Sequence, residues 1–257
     1  MKKLYFESVT TLKFSEPVGD HYFLLRTMPP SYGGQCITSA RLELKPEVPY
    51  TLYQDGFGNL NETGSIKFPH DEFIYSVYGM AEIDDMKREK EKLHPIYKHP
   101  STHTHVDSDM IAYVETLGLK GTTLEKALQL ADSLYHYMTY EAGTTCISTT
   151  AKEVFHQKKG VCQDYSHLFI ALARYIGIPA RYANGLPLGS GPSHAWSEVY
   201  VDGIWVGIDP THNRLVGEDY VRFCTGRDFK DCALERGVLF GNGYQTQETM
   251  TKVVEER

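Results

Sequence analysis

Polar and apolar positions change their period twice along the chain. Up to about residue 83 they alternate, as half-buried strands require. Cys36, Thr38, Ala40, Leu42 and Leu44 fall on one face of such a run. Gln35, Ser39, Arg41 and Glu43 fall on the other, with Ile37 as the exception. Pro29-Pro30, Gly33-Gly34, Pro46 and the turn Asp55-Gly56-Phe57-Gly58-Asn59 punctuate the strands. Residues 1–83 are therefore expected to form an all-β domain of the sandwich type. Residues 84–105 read as a connector: a charged run over 84–92, then a stretch broken by Pro95 and Pro100.

From residue 106 the period becomes helical. Asp107 or Ser108 can cap a helix carrying Met110, Ile111, Val114 and Leu117. Thr123 can cap a second, with Leu124, Ala127, Leu128, Ala131, Leu134 and Met138 in register. Thr150 and Glu153 have the spacing of a capping box. A fourth helix opens near Cys162 and buries Tyr165, Leu168, Phe169, Leu172 and Ile176. It stops at Gly177, with Pro179 beyond. Strand patterning then returns, up to a C-terminal run over 246–254. The order predicts an α+β protein divided into 1–83, 84–105 and 106–257.

Composition narrows the function classes. At about 150 residues per domain, 257 residues make one large domain or two modest ones. Lys+Arg number 26 against 33 Asp+Glu, a formal net charge of −7, which argues against nucleic acid as a partner. No apolar run approaches the ~18 residues of a membrane span, and residues 1–14 lack the apolar stretch of a secretion signal. The five cysteines are odd in number and contain no CxxC, so a reduced, cytoplasmic protein without a zinc knuckle is expected.

Cys162 stands where the fourth helix begins, and unpaired N–H groups and the helix dipole favour a thiolate there. Alone, it reads equally as a small buried hydrophobe, and Asp164 in the same turn disfavours ionisation. The residues downstream shift the balance. His194–Val201 reads as a strand, Asp202-Gly203 as a two-residue hairpin turn, and Ile204–Asp209 as the return strand. That register sets Val201 opposite Ile204 and Trp196 opposite Asp209. His194 and Asp209 then become diagonal neighbours on one face, about 7–8 Å apart between backbones. Trp196, Glu198 and Trp205 share that face. A thiolate to attack an acyl carbon, an imidazole to move its proton and a carboxylate to orient the ring are the parts of nucleophilic catalysis.

Three segments resemble the core of the transglutaminase-like superfamily, in its bacterial cysteine-protease branch. They are Gly160-Val-Cys-Gln-Asp-Tyr-Ser-His-Leu168, Ser193-His-Ala-Trp-Ser-Glu-Val-Tyr200 and Trp205-Val-Gly-Ile-Asp-Pro-Thr-His-Asn213. Ile178-Pro-Ala-Arg181, 222–229 and 236–241 fit the same pattern, and residues 1–83 resemble its N-terminal β region. The resemblance implies a papain-like core, with helices packed on an antiparallel sheet. It implies a triad of Cys162 as nucleophile, His194 as base and Asp209 as orienting acid. The Cys162 N–H is then an oxyanion donor; Tyr140 and Gln163 are candidates for the second.

Other features weigh less. Gly34-Gln35-Cys36 echoes the nucleophile segment of animal transglutaminases, but it lies in a strand and reads as packing. His94, His99, His103 and His105 share no helical face, so a solvated linker is expected rather than a metal site. His156 and His167 read as surface or core histidines, and no phosphate-binding glycine loop occurs. No cofactor is expected.

The expected function is acyl transfer from an amide through a thioester on Cys162, with a protein or peptide as substrate. Hydrolysis is favoured; an amine acceptor would make a transglutaminase, and a non-catalytic binding module is the third class. A reactive Cys162 should outpace the other four cysteines in alkylation. Asp209→Asn should cause a large loss of turnover with little loss of stability.

Overall fold

The structure, a computed structural model, describes residues 1–256. Five strands open the chain: β1 (Lys2–Leu25), β2 (Gln35–Lys45), β3 (Tyr50–Gln54), β4 (Leu60–Ile66) and β5 (His70–Ile83). Strand β1 faces inward at Leu4, Phe6, Ser8, Thr10, Leu12 and Phe14. A register break between Lys13 and Val18 leaves Val18 inward, and a second between Gly19 and Tyr22 moves the inward phase to His21, Phe23 and Leu25. The bend at these breaks lets one strand serve two parts of a sheet. Its first half pairs with β5, and its second half with β4.

The helices α1 (Ser108–Thr116), α2 (Thr123–Tyr137), α3 (Ala151–Gln157) and α4 (Cys162–Tyr175) follow. The two-residue strands β6 (Thr139–Tyr140) and β7 (Lys159–Gly160) pair in parallel between them. Asp107 caps α1 through the N–H groups of Asp109 and Met110. Thr122, one residue before the expected cap, closes a capping box with Glu125 at the start of α2. The Thr150–Glu153 box caps α3 as expected; each such cap contributes about 1 kcal/mol. Helix α4 is buried from Asp164 to Arg174 and is the centre of the larger apolar core.

The remaining elements are β8 (Ala180–Pro187), β9 (Gly189–Gly191), β10 (His194–Val201), β11 (Ile204–Asp209), β12 (Arg214–Leu215), β13 (Tyr220–Gly226), α5 (Phe229–Cys232), β14 (Glu235–Phe240) and β15 (Gln245–Glu256). A five-stranded antiparallel sheet in the order β12-β11-β10-β8-β13 packs on α4. Thus the fold is α+β, as the element order predicts.

Three expectations are corrected. First, the C-terminal run assigned to 106–257 leaves the five-stranded sheet. Strand β15 lies along β1 from Lys3 opposite Glu256 to Phe14 opposite Gln245, and β14 pairs with the second half of β1. Strand pairing over such a distance leaves no local trace in sequence. Second, the N-terminal strands form one bent eight-stranded sheet, completed by β9, β14 and β15, rather than two separate sheets of a sandwich. Third, Cys36 is exposed while Gln35 is buried. A bulge between Ile37 and Ser39 reverses the inward phase of β2, which accounts for Ile37 as the exception.

The two sheets share a core. Leu4, Phe6, Val77 and Ala81 pack with Leu186, Val221 and Phe223 in one apolar cluster. Asn59 bonds both the N–H and the C=O of Thr225, and the Gln35 amide does the same for Arg222. Among the described residues no helix is long and apolar enough to cross a membrane.

Candidate active site

Cys162 is the first residue of α4, half-buried at the end of the helix where N–H groups lack intrahelical partners. Its first turn is tied from behind. The Asp164 carboxylate accepts the Val161 N–H at 2.8 Å and the Thr145 hydroxyl at 2.6 Å. Burial pushes the Asp164 carboxyl up, against the lowering by these two bonds. A Cβ on Gly160 would lie 2.6 Å from Asp164, so glycine is required here for space. Gly160 is not among the residues of positive φ, so space and not backbone conformation calls for glycine here.

The hairpin forms in the expected register. Val201 stands opposite Ile204 and Ser197 opposite Ile208, with the turn at Asp202-Gly203. Ala195 and Val199 enter the core under the sheet, while His194, Trp196 and Glu198 take the other face. His194 Nε2 meets Asp209 Oδ2 at 2.7 Å. That contact leaves Nδ1 as the ring nitrogen free to serve Cys162. Burial alone would lower the His194 pKa. The Asp209 carboxylate and the Cys162 sulfur outweigh it and raise the ring to about 9.

Asp209 is fully buried and takes more donors than the hairpin alone supplies. Its Oδ2 also accepts from His212 Nδ1 and the Tyr220 hydroxyl, both at 2.8 Å. Its Oδ1 accepts the N–H groups of Thr211 at 3.0 Å and His212 at 3.3 Å. Burial alone would raise this carboxyl, but His194, His212 and Tyr220 hold it well below the usual carboxylate range. Arg214 bonds the Tyr220 oxygen from the other side at 2.7 Å. Sequence reading did not find His212, Tyr220 or Arg214. The turn Asp209-Pro-Thr-His212 carries a local signal, because an aspartate commonly accepts backbone N–H groups two and three residues on. Tyr220 arrives on another strand, without any such signal.

On the same face as His194, Glu198 is buried between Arg181 Nε at 2.6 Å and Arg222 Nη1 at 3.1 Å. Burial alone would raise its carboxyl, but the two guanidinium groups hold it at about 2.

The remaining candidates fall elsewhere. His103 is no linker residue in solvent: it is buried, stacks on His167 with ring centroids 5.0 Å apart, and lies 3.2 Å from Asp228. Tertiary packing, not local sequence, buries it. His156 pairs with Asp107 at 3.0 Å on the surface. Tyr140 is exposed, with a pKa raised by burial and by nearby Cys162. Cys224 and Cys232 are buried, whereas Cys146 is exposed. Hydrogen bonds from Ser148 and Thr149 lower the Cys146 thiol to about 7. His194, Asp209 and His212 offer ligand atoms within 4.8 Å of one another and are the residues that could hold a metal ion. Their distances are those of hydrogen bonds to a shared carboxylate oxygen.

Two family descriptions match the chain. Residues 111–210 match the Transglutaminase-like superfamily, and residues 7–82 match the Bacterial transglutaminase-like N-terminal region. An uncharacterized protein of Mycobacterium leprae is 24% identical over 271 residues, covering 96% of this chain and 94% of its own length. An uncharacterized protein of Mycobacterium bovis is 34% identical over 139 residues, 48% of this chain and 44% of that protein. A crystal structure described as a "Putative Cysteine Protease" from Cytophaga hutchinsonii shares the fold, with a TM-score of 0.80 and 24% identity. It covers 99% of this chain and 90% of that one.

Proposed function

The chain belongs to the transglutaminase-like superfamily, and on that premise we propose that it is a cysteine-dependent enzyme that hydrolyses amide bonds of a protein or peptide. The observation that carries this reading is His194. One ring nitrogen is held by a buried carboxylate at 2.7 Å, and the Cys162 sulfur adds to the raising of the ring's pKa.

Each group has a defined task in this reading. The Cys162 thiolate attacks the acyl carbon, and the N–H groups at the helix start face the developing oxyanion. The C–N bond breaks as the His194 imidazolium gives its proton to the departing amine. Water then attacks the thioester, His194 takes its proton, and the acid leaves with the thiol restored. Asp209 stays ionised throughout and holds the ring.

The test offers a glutamine-containing protein together with a labelled primary amine. Hydrolysis gives released peptide or ammonia without incorporated label, and a mass increase on Cys162 alone when the thioester is trapped by acid quench. Incorporated label would replace water with an amine as the acceptor. Equal product from wild type and Cys162→Ala would remove the enzymatic reading.

A further inference from the structure

The inward face of β1 is apolar at Leu4 and Phe6 and again at Leu12 and Phe14, but carries Ser8 and Thr10 between them. Both are buried, and Thr10 bonds the Thr249 hydroxyl of β15 at 3.0 Å. Hydroxyls at core positions cost stability unless something polar meets them. Here the polar strip, with Thr27 and Tyr75, forms one wall of a cleft of about 270 Å³. That is room for a side chain and a few waters, at about 30 Å³ per water.

The opposite wall belongs to the catalytic sheet. It contains Ser193, which precedes His194, and Asn184, whose neighbour Gly185 pairs with His194. Ile147 closes one side, two residues after the Thr145 that holds the first turn of α4. The cleft therefore borders the segment that carries His194, and Cys162, His194 and Asp209 themselves lie outside its lining.

Its chemistry is one-sided. No Lys, Arg or His lines it. Glu235 does, half-buried, its carboxylate meeting the Tyr75 hydroxyl at 3.3 Å. Asn184 Oδ1 is buried without any donor. A carboxylate, a bare carbonyl oxygen and a row of hydroxyls are complementary to a cation rich in donors.

We propose that this cleft receives a side chain ending in a primary ammonium, carried by the peptide whose bond Cys162 attacks and held by Glu235 and Asn184. The inference rests on the hydrolytic reading above and makes the N-terminal sheet the specificity wall of the site.

Binding is measured on full-length Cys162→Ala protein by calorimetry, so that turnover plays no part. The probes are Nα-acetyl-lysine amide and its neutral counterpart Nα-acetyl-norleucine amide. The lysine probe should bind about tenfold more tightly, the size of one hydrogen bond to a charged group. Glu235→Gln should erase most of that preference. Gln247→Lys, at the exposed rim of the cleft, should weaken the lysine probe without disturbing the core. Equal affinity for the two probes, or a preference unchanged in both variants, would overturn the proposal. Failure of the catalytic reading would appear separately, as wild-type protein without turnover.

Discussion

Tyr220 donates its hydroxyl to Asp209 from a strand that is not hydrogen-bonded to the Asp209 strand, at 2.8 Å. The carboxylate that orients His194 is thus held from three directions: the hairpin, its own turn and β13. An acceptor buried among five donors cannot be neutralised cheaply.

Asp209→Asn should therefore cost both activity and stability. Turnover should fall by about 10³–10⁴-fold, as when a triad carboxylate is lost. Stability should fall by about 1–3 kcal/mol, because the amide NH2 meets His194, His212 and Tyr220, all donors. This departs from the expectation of an unaffected fold. Steady-state kinetics and urea denaturation check the two halves.

Alkylation should single out two cysteines rather than one. Cys146 is exposed with a thiol lowered to about 7, so it competes with Cys162 for iodoacetamide at neutral pH. Peptide mapping should find both labelled and the buried Cys224 and Cys232 spared. Cys146→Ser should remain active, and Cys162→Ala should be folded and inactive.

The alkaline limb of activity should fall near pH 9, where the His194 imidazolium is lost. The sign for stability follows from the same group. Its folded pKa lies above the unfolded 6.5, so its contribution is complete below pH 6.5 and disappears as the pH rises through about 9. A pH–rate profile beside thermal denaturation at each pH reads both effects.

Acid should destabilise the fold through two other histidines. Burial, with His70 beside it, lowers His21 to about 4; burial, with His103 beside it, lowers His167 to about 3. Both folded values lie below 6.5, so the unfolded chain takes up these protons first. Stability should decline as the pH drops from about 6.5 toward 4, by up to about 1.4 kcal/mol per pH unit for each histidine. Replacing His167 with Gln should flatten this decline, measured as Tm between pH 7 and 4.

Glu198→Gln should be among the most destabilising conservative changes. It leaves Arg181 and Arg222 buried with their shared counter-charge removed, which costs about 3–5 kcal/mol for a broken buried pair. Denaturant midpoints measure the loss.

Local physics carried much of the reading. The helices at Asp107 and Thr150 announce themselves through caps, and that at Cys162 through its 3.6-residue period. The hairpin register follows from Asp202-Gly203, because a two-residue turn leaves one pairing for the strands it joins. That register alone brings His194 and Asp209 to one face, and the helix start marks Cys162 as distinct from the other thiols.

What the chain could not state in advance is every relationship across long sequence separation. Strand β15 joining β1, Tyr220 reaching Asp209 with Arg214 bonded to the Tyr220 oxygen, and His103 entering the core beside His167 each depend on elements meeting after the chain has folded. Sequence periodicity records which side of an element is apolar, but not which partner covers it. The orientation of the His194 ring was therefore encoded locally, while the full set of donors that fixes the Asp209 carboxylate came only with tertiary packing.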